Sequence, residues 1–470
     1  MNSPLRVTYK SLDNEFMKVQ PKLGLEYNSL FSSRTQLFLP ILRQVITTNF
    51  PSIRHIQSIP DAQQQQSSEK IAICGLIYKD CKKRPNLIKL FQKDRSLLKS
   101  HKIHAHYTDP DDELFLEDKH GRVQLTGNIN FEHYITGVPL AITGSLNNQG
   151  KFVVDTVVDL DLPPQRHMLK HSSQSLSLVF LSDLRIGADD SDPLKIELLT
   201  DFLCNDSISS AAPHQRTHVY IAGSSLTPIK PMKRQFEQYS AFPPEKIISS
   251  TQDLDAFLSQ LCSTLNVTLL PGPEDPSSFF LPQHPIHHSL IPSAYTFSTF
   301  TPATNPHKSI IHGMLVIGMS SQIVVDLMRF TSFSPLECLE ALLKWNHLAP
   351  NAPDSLPVAP TEETDPFLLD ETPSILFVGG MDVFESKVVT GGQGQRCLLL
   401  SIPSFCKTGT VITVDPSSFQ CNPTIFDIGL TGAQANEMIQ QGRGLHQKKE
   451  EKVEEEIEIV IDELDGDDVE

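Results

Sequence analysis

From about residue 174 onward, short apolar runs alternate with segments of helical periodicity, and this alternation limits the fold more than any other feature of the chain. The apolar runs LSLVFLS, HVYIAG and NVTLLPG are separated by segments whose leucines recur every three or four residues, such as Leu254, Leu258 and Leu261. Strands that alternate with helices in this way build parallel sheets with helices packed on their faces. We therefore predict an α/β domain over residues 174–425.

The preceding segment, residues 66–170, has a different pattern. Five short strand-like runs follow one another, with turn sequences at Lys119-His120-Gly121 and Asn147-Asn148-Gln149-Gly150. Five strands in this order are typical of a small Greek-key barrel of the OB type, an all-β part beside the α/β domain. Ahead of it, residues 1–60 carry apolar residues at loosely helical intervals, which predicts an N-terminal helical segment.

The formal net charge is −17, and it is unevenly distributed. Residues 448–470 hold twelve acidic residues and three lysines, which predicts an acidic disordered tail over residues 440–470. The barrel segment also carries six acids in DPDDELFLED, residues 109–118. An acidic chain repels a phosphate backbone unless it has a local basic groove. Protein binding by the barrel is therefore favoured over the alternative, a single-strand binder whose affinity would depend on salt.

The eight cysteines form no Cys-x-x-Cys pair, and several lie in apolar runs, which is typical of buried reduced thiols rather than of a zinc site. No cofactor is expected. The chain has no run of ~20 apolar residues, and its N-terminus lacks the apolar core of a secretory signal. We therefore expect the cytosol or the nucleus, without membrane attachment.

Polar residues follow the strands of the α/β domain, at the points where such sheets bind ligands. The order of these strand ends resembles the calcineurin-like metallophosphoesterases, in which Asp, Asn and His side chains hold two metal ions that activate a water. The resemblance implies the α/β sandwich of that family. The corresponding positions in this sequence, which we interpret as a vestigial metal site, are Asp183, Arg185, Ser224, Thr227, Pro273, Glu274, Asp275, His347, Met381 and Val383.

Most of these positions lack the ligand that the resemblance requires. Arg185 replaces a histidine, and a guanidinium has no free lone pair with which to bind a metal. Ser224 replaces a bridging aspartate and Met381 replaces another histidine. We expect no bound metal, no catalytic residue, and an ion pair of Arg185 with Asp183 or Asp275 in the space of the metal. This structural role is favoured over phosphate recognition by Arg185.

An OB-type barrel followed by a phosphoesterase domain without its ligands is similar to the B-subunits of the eukaryotic replicative DNA polymerases. Stretches such as DPDDELFLEDKHGRVQLTG, TGSLNNQGKFVV and TDPFLLDETPSILFVGG are most similar to the delta members. Physical reasoning from the residues does not by itself separate delta from alpha, epsilon and zeta. The resemblance implies a nuclear, non-catalytic subunit for DNA replication and repair. It also implies binding to the cysteine-rich C-terminal module of the delta catalytic subunit and, through the barrel side, to a third subunit that links to the sliding clamp.

The main alternative is an active metal-dependent phosphodiesterase or 3′→5′ nuclease that recruits other ligands. Four histidines cluster along the chain, at His284, His287, His288 and His312. Imidazoles bind metals well. These four lie in predicted loops, however, and not at the strand ends that would place two metals. The scaffold interpretation is therefore favoured.

Within the tail, Ile457, Ile459, Val460 and Ile461 form an alternating β-branched run flanked by acids. Such a run resembles a SUMO-interacting motif, which adds a strand to the edge of a partner's sheet. A solvated tail is the simpler interpretation, because short motifs often match by chance.

Overall fold

The computed structural model describes residues 8–17, 27–64, 69–84, 106–158, 160–168, 176–204, 216–227, 245–358 and 365–426. The tail predicted at residues 440–470, with its run of Ile457, Ile459, Val460 and Ile461, lies outside these residues. The described chain contains an all-β barrel and a larger α/β sandwich, as the sequence predicts. None of the described helices combines the length and the apolar character needed to cross a bilayer.

Within the described residues, the N-terminal part and the barrel contain seven strands and three helices. Their bounds, in chain order, are β1 Tyr9–Ser11, α1 Asn14–Met17, α2 Asn28–Asn49, β2 Arg54–His55, α3 Ile59–Gln63, β3 Ile71–Asp80, β4 Glu113–Glu117, β5 Arg122–Gly127, β6 Pro139–Leu146 and β7 Phe152–Val158, with a 3₁₀ turn at Phe131–His133.

The sandwich contains the remaining elements. Their bounds are β8 Leu176–Leu181, α4 Pro193–Cys204, β9 Arg216–Ala222, α5 Glu245–Cys262, β10 Asn266–Leu270, a 3₁₀ turn at Ala294–Thr296, β11 Phe300–Pro302, β12 His307–Ile311, β13 Met314–Met319, α6 Gln322–Phe330, α7 Pro335–Lys344, β14 Ile375–Met381, β15 Glu385–Thr390, β16 Arg396–Pro403, α8 Phe405–Thr408, β17 Thr410–Asp415 and β18 Gln420–Ile425.

Five strands close the barrel in the order β3-β4-β5-β7-β6, because β6 pairs back onto β3. The β5–β7 pair is parallel and the other four pairs are antiparallel. This is the OB topology that the sequence predicts. Helix α2 packs on the outside of the barrel through Phe38, Leu42 and Ile46. The barrel wall is thereby protected from water on that side.

The sandwich consists of two six-stranded sheets with helices on both outer faces. One sheet has the order β11-β10-β9-β8-β17-β18 and the other the order β1-β12-β13-β14-β16-β15. Strand β8 shows how the layers form, because Leu178 and Phe180 face the opposite sheet while Val179 and Leu181 face α4 and α5. A strand buried on both faces is mostly apolar, which is why LSLVFL contains a single polar residue, Ser177, and no regular polar alternation.

The N-terminal segment is not helical throughout, which corrects the prediction for residues 1–60. Tyr9–Ser11 form the edge strand β1, which pairs antiparallel with β12 of the sandwich. Asp13 then accepts hydrogen bonds from His307 Nδ1 at 2.8 Å and from the Lys308 backbone at 3.0 Å. The pairing partner lies about 300 residues away along the chain, so local periodicity could not indicate it.

Buried polar contacts join the barrel to the sandwich. Arg34 of α2 donates to Asp365 at 2.5 Å and to the Pro350 carbonyl at 2.7 Å. Lys79 of β3 donates its ammonium to the Phe330 carbonyl at the end of α6, at 2.7 Å. Both cations are almost fully buried. Buried charges of this kind are tolerated only when they are paired and hydrogen-bonded.

Candidate functional site

The carboxyl ends of five parallel strands meet at one edge of the sandwich. Strands β8, β9 and β10 are parallel in one sheet, and β13 and β14 are parallel in the other. The two sheets touch at this edge, where the Gly380 N–H donates to Ser182 Oγ at 2.9 Å. The predicted positions at the ends of β8, β9, β10 and β14 therefore share one edge, which we call the strand-end site.

The backbone of the strand-end site is strained at three residues that are not glycine. Asp183, Arg185 and Ser224 have φ angles of 56°, 50° and 48°. The left-handed region costs such residues roughly 1–2 kcal/mol each. Hydrogen bonds hold them there, since Asp183 N–H donates to the Gly223 carbonyl at 2.9 Å and Arg185 N–H to the Ser224 carbonyl at 3.1 Å. The loop shape is thus enforced by its neighbours.

Arg185 does not form either ion pair predicted from the sequence. Its Nε lies 3.7 Å from Asp190 and its Nη1 lies 3.8 Å from Glu274. The reason is that the expected partners are engaged elsewhere: the Asp183 carboxylate accepts from the Ser404 hydroxyl, and Asp275 accepts from backbone groups. The guanidinium therefore connects the loop after β8 with the loop after β10.

Asp275 is a buried carboxylate that accepts from three backbone N–H groups in two loops. Its Oδ1 accepts from the N–H groups of Ser225 and Leu226 at 2.9 and 3.0 Å, and its Oδ2 accepts from Gly272 N–H at 2.8 Å. Burial raises the pKa of this carboxyl to about 6, against the opposing effect of the backbone hydrogen bonds. Three of its about four lone-pair positions, which a metal ion would need, are occupied by the protein's own backbone.

A neutral hydrogen-bond network, which the sequence analysis missed, lies beside these loops. Asn305 Nδ2, which has two N–H protons, lies within hydrogen-bond distance of three acceptors: Gln283 Oε1 at 2.8 Å, Ser320 Oγ at 2.6 Å and Gln322 Oε1 at 2.8 Å. Ser320 directly follows β13, so it contributes the fifth strand end. No spacing rule marks Ser, Asn and Gln as a group, which is why only the fold reveals it.

The strand ends of β9 and β10 approach each other through glycines. A Cβ on Gly223 would lie 3.0 Å from the Gly272 Cα and 2.6 Å from the Ser320 Cβ. A Cβ on Gly272 would collide with the Ser224 backbone nitrogen. At these contacts the main chains that follow β9 and β10 pack directly against each other, in the middle of the strand-end site.

The other predicted positions at this edge offer few side-chain atoms that could bind a metal ion. Thr227 N–H donates to the Ile186 carbonyl at 3.0 Å, and Pro273 is exposed. Met381 is 4% exposed and belongs to the apolar core. The Val383 carbonyl accepts from the Ser401 hydroxyl at 2.9 Å. These residues complete the loops without adding a charged group.

His347, the remaining predicted position, has a different set of neighbours. The imidazole is fully buried, with Nε2 at 2.9 Å from Asp365 Oδ2 and Nδ1 accepting from Ala349 N–H at 3.0 Å. Its pKa is lowered, chiefly by burial, although Asp365 acts in the opposite direction. Together with Arg34 it forms the contact between α2 and the sandwich, so the structure does not bring it to the strand-end site.

The histidines of the alternative interpretation are not arranged as a metal centre. His284, His287 and His288 are exposed, and the ring centroids of His287 and His288 lie 4.1 Å apart with the rings tilted by 35°. His312 lies in the hairpin between β12 and β13, where its N–H donates to the Thr8 carbonyl. Across the described ranges, no group of three or more His, Cys, Asp or Glu side chains is placed to hold a metal ion.

An acidic groove of about 680 Å³ lies between the barrel and the sandwich. Its lining includes apolar side chains, among them Val325, Met328 and Phe333. Five acids border it, and within the described part of the chain no Lys or Arg lines it; the acids are Asp109, Glu132, Glu337, Asp382 and Glu385. An apolar floor with a negative rim favours a protein segment that carries both apolar and basic side chains.

Comparison with known proteins gives matches along most of the chain. Residues 178–386 match the family of the B-subunit of DNA polymerase alpha/epsilon, and residues 26–157 match the DNA polymerase delta subunit OB-fold domain.

Three curated relatives are similar along nearly their whole length. The DNA polymerase delta small subunit of Arabidopsis thaliana is 32% identical, over 89% of this chain and 95% of the relative. The DNA polymerase delta subunit 2 of Drosophila melanogaster is 28% identical, over 91% of this chain and 99% of the relative. The DNA polymerase delta small subunit of Saccharomyces cerevisiae is 28% identical, over 91% and 93%.

Proposed function

Because the chain belongs to the family of the DNA polymerase delta small subunits, we propose that it is the non-catalytic accessory subunit of that polymerase. In this proposal it bridges the cysteine-rich C-terminal module of the catalytic subunit and a third, clamp-linking subunit. The sliding clamp is then reached indirectly. The site of action is the nucleus, in DNA replication and repair.

The single observation that supports a non-catalytic role is the use of Asp275. A catalytic or metal-binding carboxylate needs free lone pairs, whereas this one accepts from three backbone N–H groups. Arg185 adds a permanent cation where the family of phosphoesterases has a metal ligand. The residues present do not fit two metal ions, so the proposal assigns no chemistry to metals here.

The acidic groove supports protein binding as the function of the fold. It lies between the two domains that a bridging subunit would use, and its rim repels a phosphate backbone. The alternative of an active phosphodiesterase finds no support in the positions of His284, His287, His288 and His312. The alternative of a single-strand binder finds none in the charge of the barrel.

Two measurements on one preparation test the proposal. The full chain is co-expressed with the delta catalytic subunit and the third subunit of the same organism, and the purified species is sized by light scattering. We expect a complex with one copy of each. The same complex is assayed with Mn²⁺ on bis-p-nitrophenyl phosphate and on single-stranded DNA, with a catalytic subunit whose own nuclease site is inactivated.

The control for activity is the variant Asp183→Asn. Under the proposal, both complexes show the same background turnover. Turnover by the wild-type chain that Asp183→Asn abolishes would establish an active phosphoesterase. Failure of the catalytic subunit or the third subunit to co-purify would remove the bridging role.

A further inference from the structure

Two adjacent phenylalanines in the loop after β10 expose more apolar surface than their neighbours. Phe279 is 76% exposed and Phe280 is 46% exposed, and Phe279 is the most exposed large hydrophobic residue in the described part of the chain. Their rings are arranged edge to face, with centroids 5.8 Å apart. They therefore present one joint aromatic surface to solvent.

Hydrogen bonds on both sides hold this aromatic loop in place. Before the pair, the Ser278 carbonyl accepts from Gln283 Nε2 at 3.0 Å and its hydroxyl accepts from His284 N–H at 2.8 Å. After the pair, Leu281 N–H donates to the Pro357 carbonyl at 2.8 Å. Gln283 is itself fixed by Asn305. An aromatic pair on a fixed loop is ready to bind without a large loss of conformational entropy.

The charge around the pair selects the kind of partner. Residues 276–283, PSSFFLPQ, contain no charged residue, and the residues just before them are Glu274 and Asp275. Aromatic residues that stack on single-stranded nucleic acid work beside cations that follow the backbone. Binding to an anionic membrane surface also needs Lys or Arg. The surface therefore fits the apolar pocket of another protein.

The area of the pair indicates an anchor inside a wider interface. A phenylalanine side chain buries roughly 150–250 Å², so the exposed parts of the two rings offer on the order of 200–300 Å². A stable interface needs about 800 Å² from each partner. The pair is too small to hold any partner by itself, but it has the size and chemistry of a binding hot spot.

We propose that Phe279 and Phe280 anchor the sandwich to an apolar pocket on the catalytic subunit of the polymerase. This inference rests on the proposed function, in which the barrel side binds the third subunit. The aromatic loop lies in the sandwich, next to the strand-end site. The edge that carries metal ligands in phosphoesterases then serves this chain as a support for a docking loop.

The test measures binding of the full chain to the full-length catalytic subunit and, separately, to the third subunit. The variant is Phe279→Ala/Phe280→Ala. Leu194→Ala/Leu198→Ala is the matched control, because both leucines are similarly exposed on α4, at 46% and 40%. We expect the phenylalanine variant to bind the catalytic subunit at least about 100-fold more weakly, and the leucine variant to bind it as the wild type does.

Two further readouts make the result decisive. The melting temperature and the affinity for the third subunit should be the same in all three proteins, because the altered side chains are exposed. Unchanged binding of the phenylalanine variant to the catalytic subunit overturns the inference alone. Self-association of the wild type that the variant lacks also overturns it, in favour of a second copy as the partner. A wild type that binds neither subunit rejects the proposed function, and this inference with it.

Discussion

Asp275 shows how a residue type that suggests chemistry can serve structure. Its buried carboxylate accepts hydrogen bonds from three backbone N–H groups in two loops, in the place that water would otherwise take. An isolated buried charge is costly, which is the reason for its raised pKa. The hydrogen bonds offset part of that cost, and they fix the loops that carry Arg185 and Ser224.

Asp275→Ala should lower the free energy of unfolding by roughly 3 kcal/mol or more. Each buried N–H group left without an acceptor costs about 1–3 kcal/mol. Urea unfolding followed by tryptophan fluorescence measures the change. Asp190→Ala is the control, because Asp190 is 57% exposed and meets Arg185 only at 3.7 Å. A loss below about 1 kcal/mol for Asp275→Ala would mean that water reaches these N–H groups.

At the scale of elements, strand β9 contains a histidine that remains neutral in the folded state. His218 is fully buried, donates to or accepts from Thr268 on β10 at 2.9 Å, and stacks on Tyr9 of β1 at 4.9 Å. Burial and the nearby His307 of β12 lower its pKa to about 3. The unfolded chain takes up a proton near pH 6.5 that the folded chain does not.

This difference gives a pH dependence of stability with a definite sign. A lowered histidine pKa contributes stability above pH 6.5 that is lost as the pH falls below it. Between pH 7.5 and 5.5 the wild type should lose about 1.4 kcal/mol more than His218→Phe, as measured by urea unfolding at both pH values. Equal losses in the two proteins would show that His218 gains a proton in the folded state.

Most elements of this chain follow from local sequence, and the exceptions have physical reasons. The signature Ser334-Pro335-Leu336-Glu337 predicts the start of α7, and the structure has both hydrogen bonds of the capping box there. Strand β1 could not be predicted, because none of its three residues is fully buried and their partner is distant in sequence.

The strand-end site was predictable in position but not in its contacts. The run LSLVFLS indicates where a buried strand ends, and it therefore predicts that Asp183 and Arg185 lie at this strand end. Which carboxylate Arg185 meets depends on how two loops cross in space. His347 was misplaced because a histidine in a loop gives no sign of the buried aspartate that it contacts, and that aspartate, Asp365, lies 18 residues further on.

At the scale of the whole molecule, the barrel and the sandwich are joined by paired charges in their interface. Arg34 and Asp365 are both buried, and His347 shares the same carboxylate. The nearby cation and imidazole hold the pKa of Asp365 well below its usual range. A contact of this kind depends on every member, because removal of one leaves a buried charge without a partner.

Arg34→Met should destabilise the protein by roughly 3–5 kcal/mol and uncouple the two domains. Scanning calorimetry should then show two transitions where the wild type shows one. Arg43→Met is the control on the same helix, since Arg43 is only half-buried and donates to the Gln57 carbonyl at 3.3 Å rather than to a buried carboxylate. A single transition at an unchanged temperature for Arg34→Met would show that apolar packing alone joins the domains.

The pairing of β1 with β12 also has a consequence for synthesis of the chain. Tyr9 is made about 300 residues before its partner Ile311. At 5–20 residues per second this delay is roughly 15–60 s. During that time β1 has no partner strand, because β12 has not yet been made. Contacts of such long sequence separation slow folding, and an unpaired strand is open to wrong pairing until its partner is made.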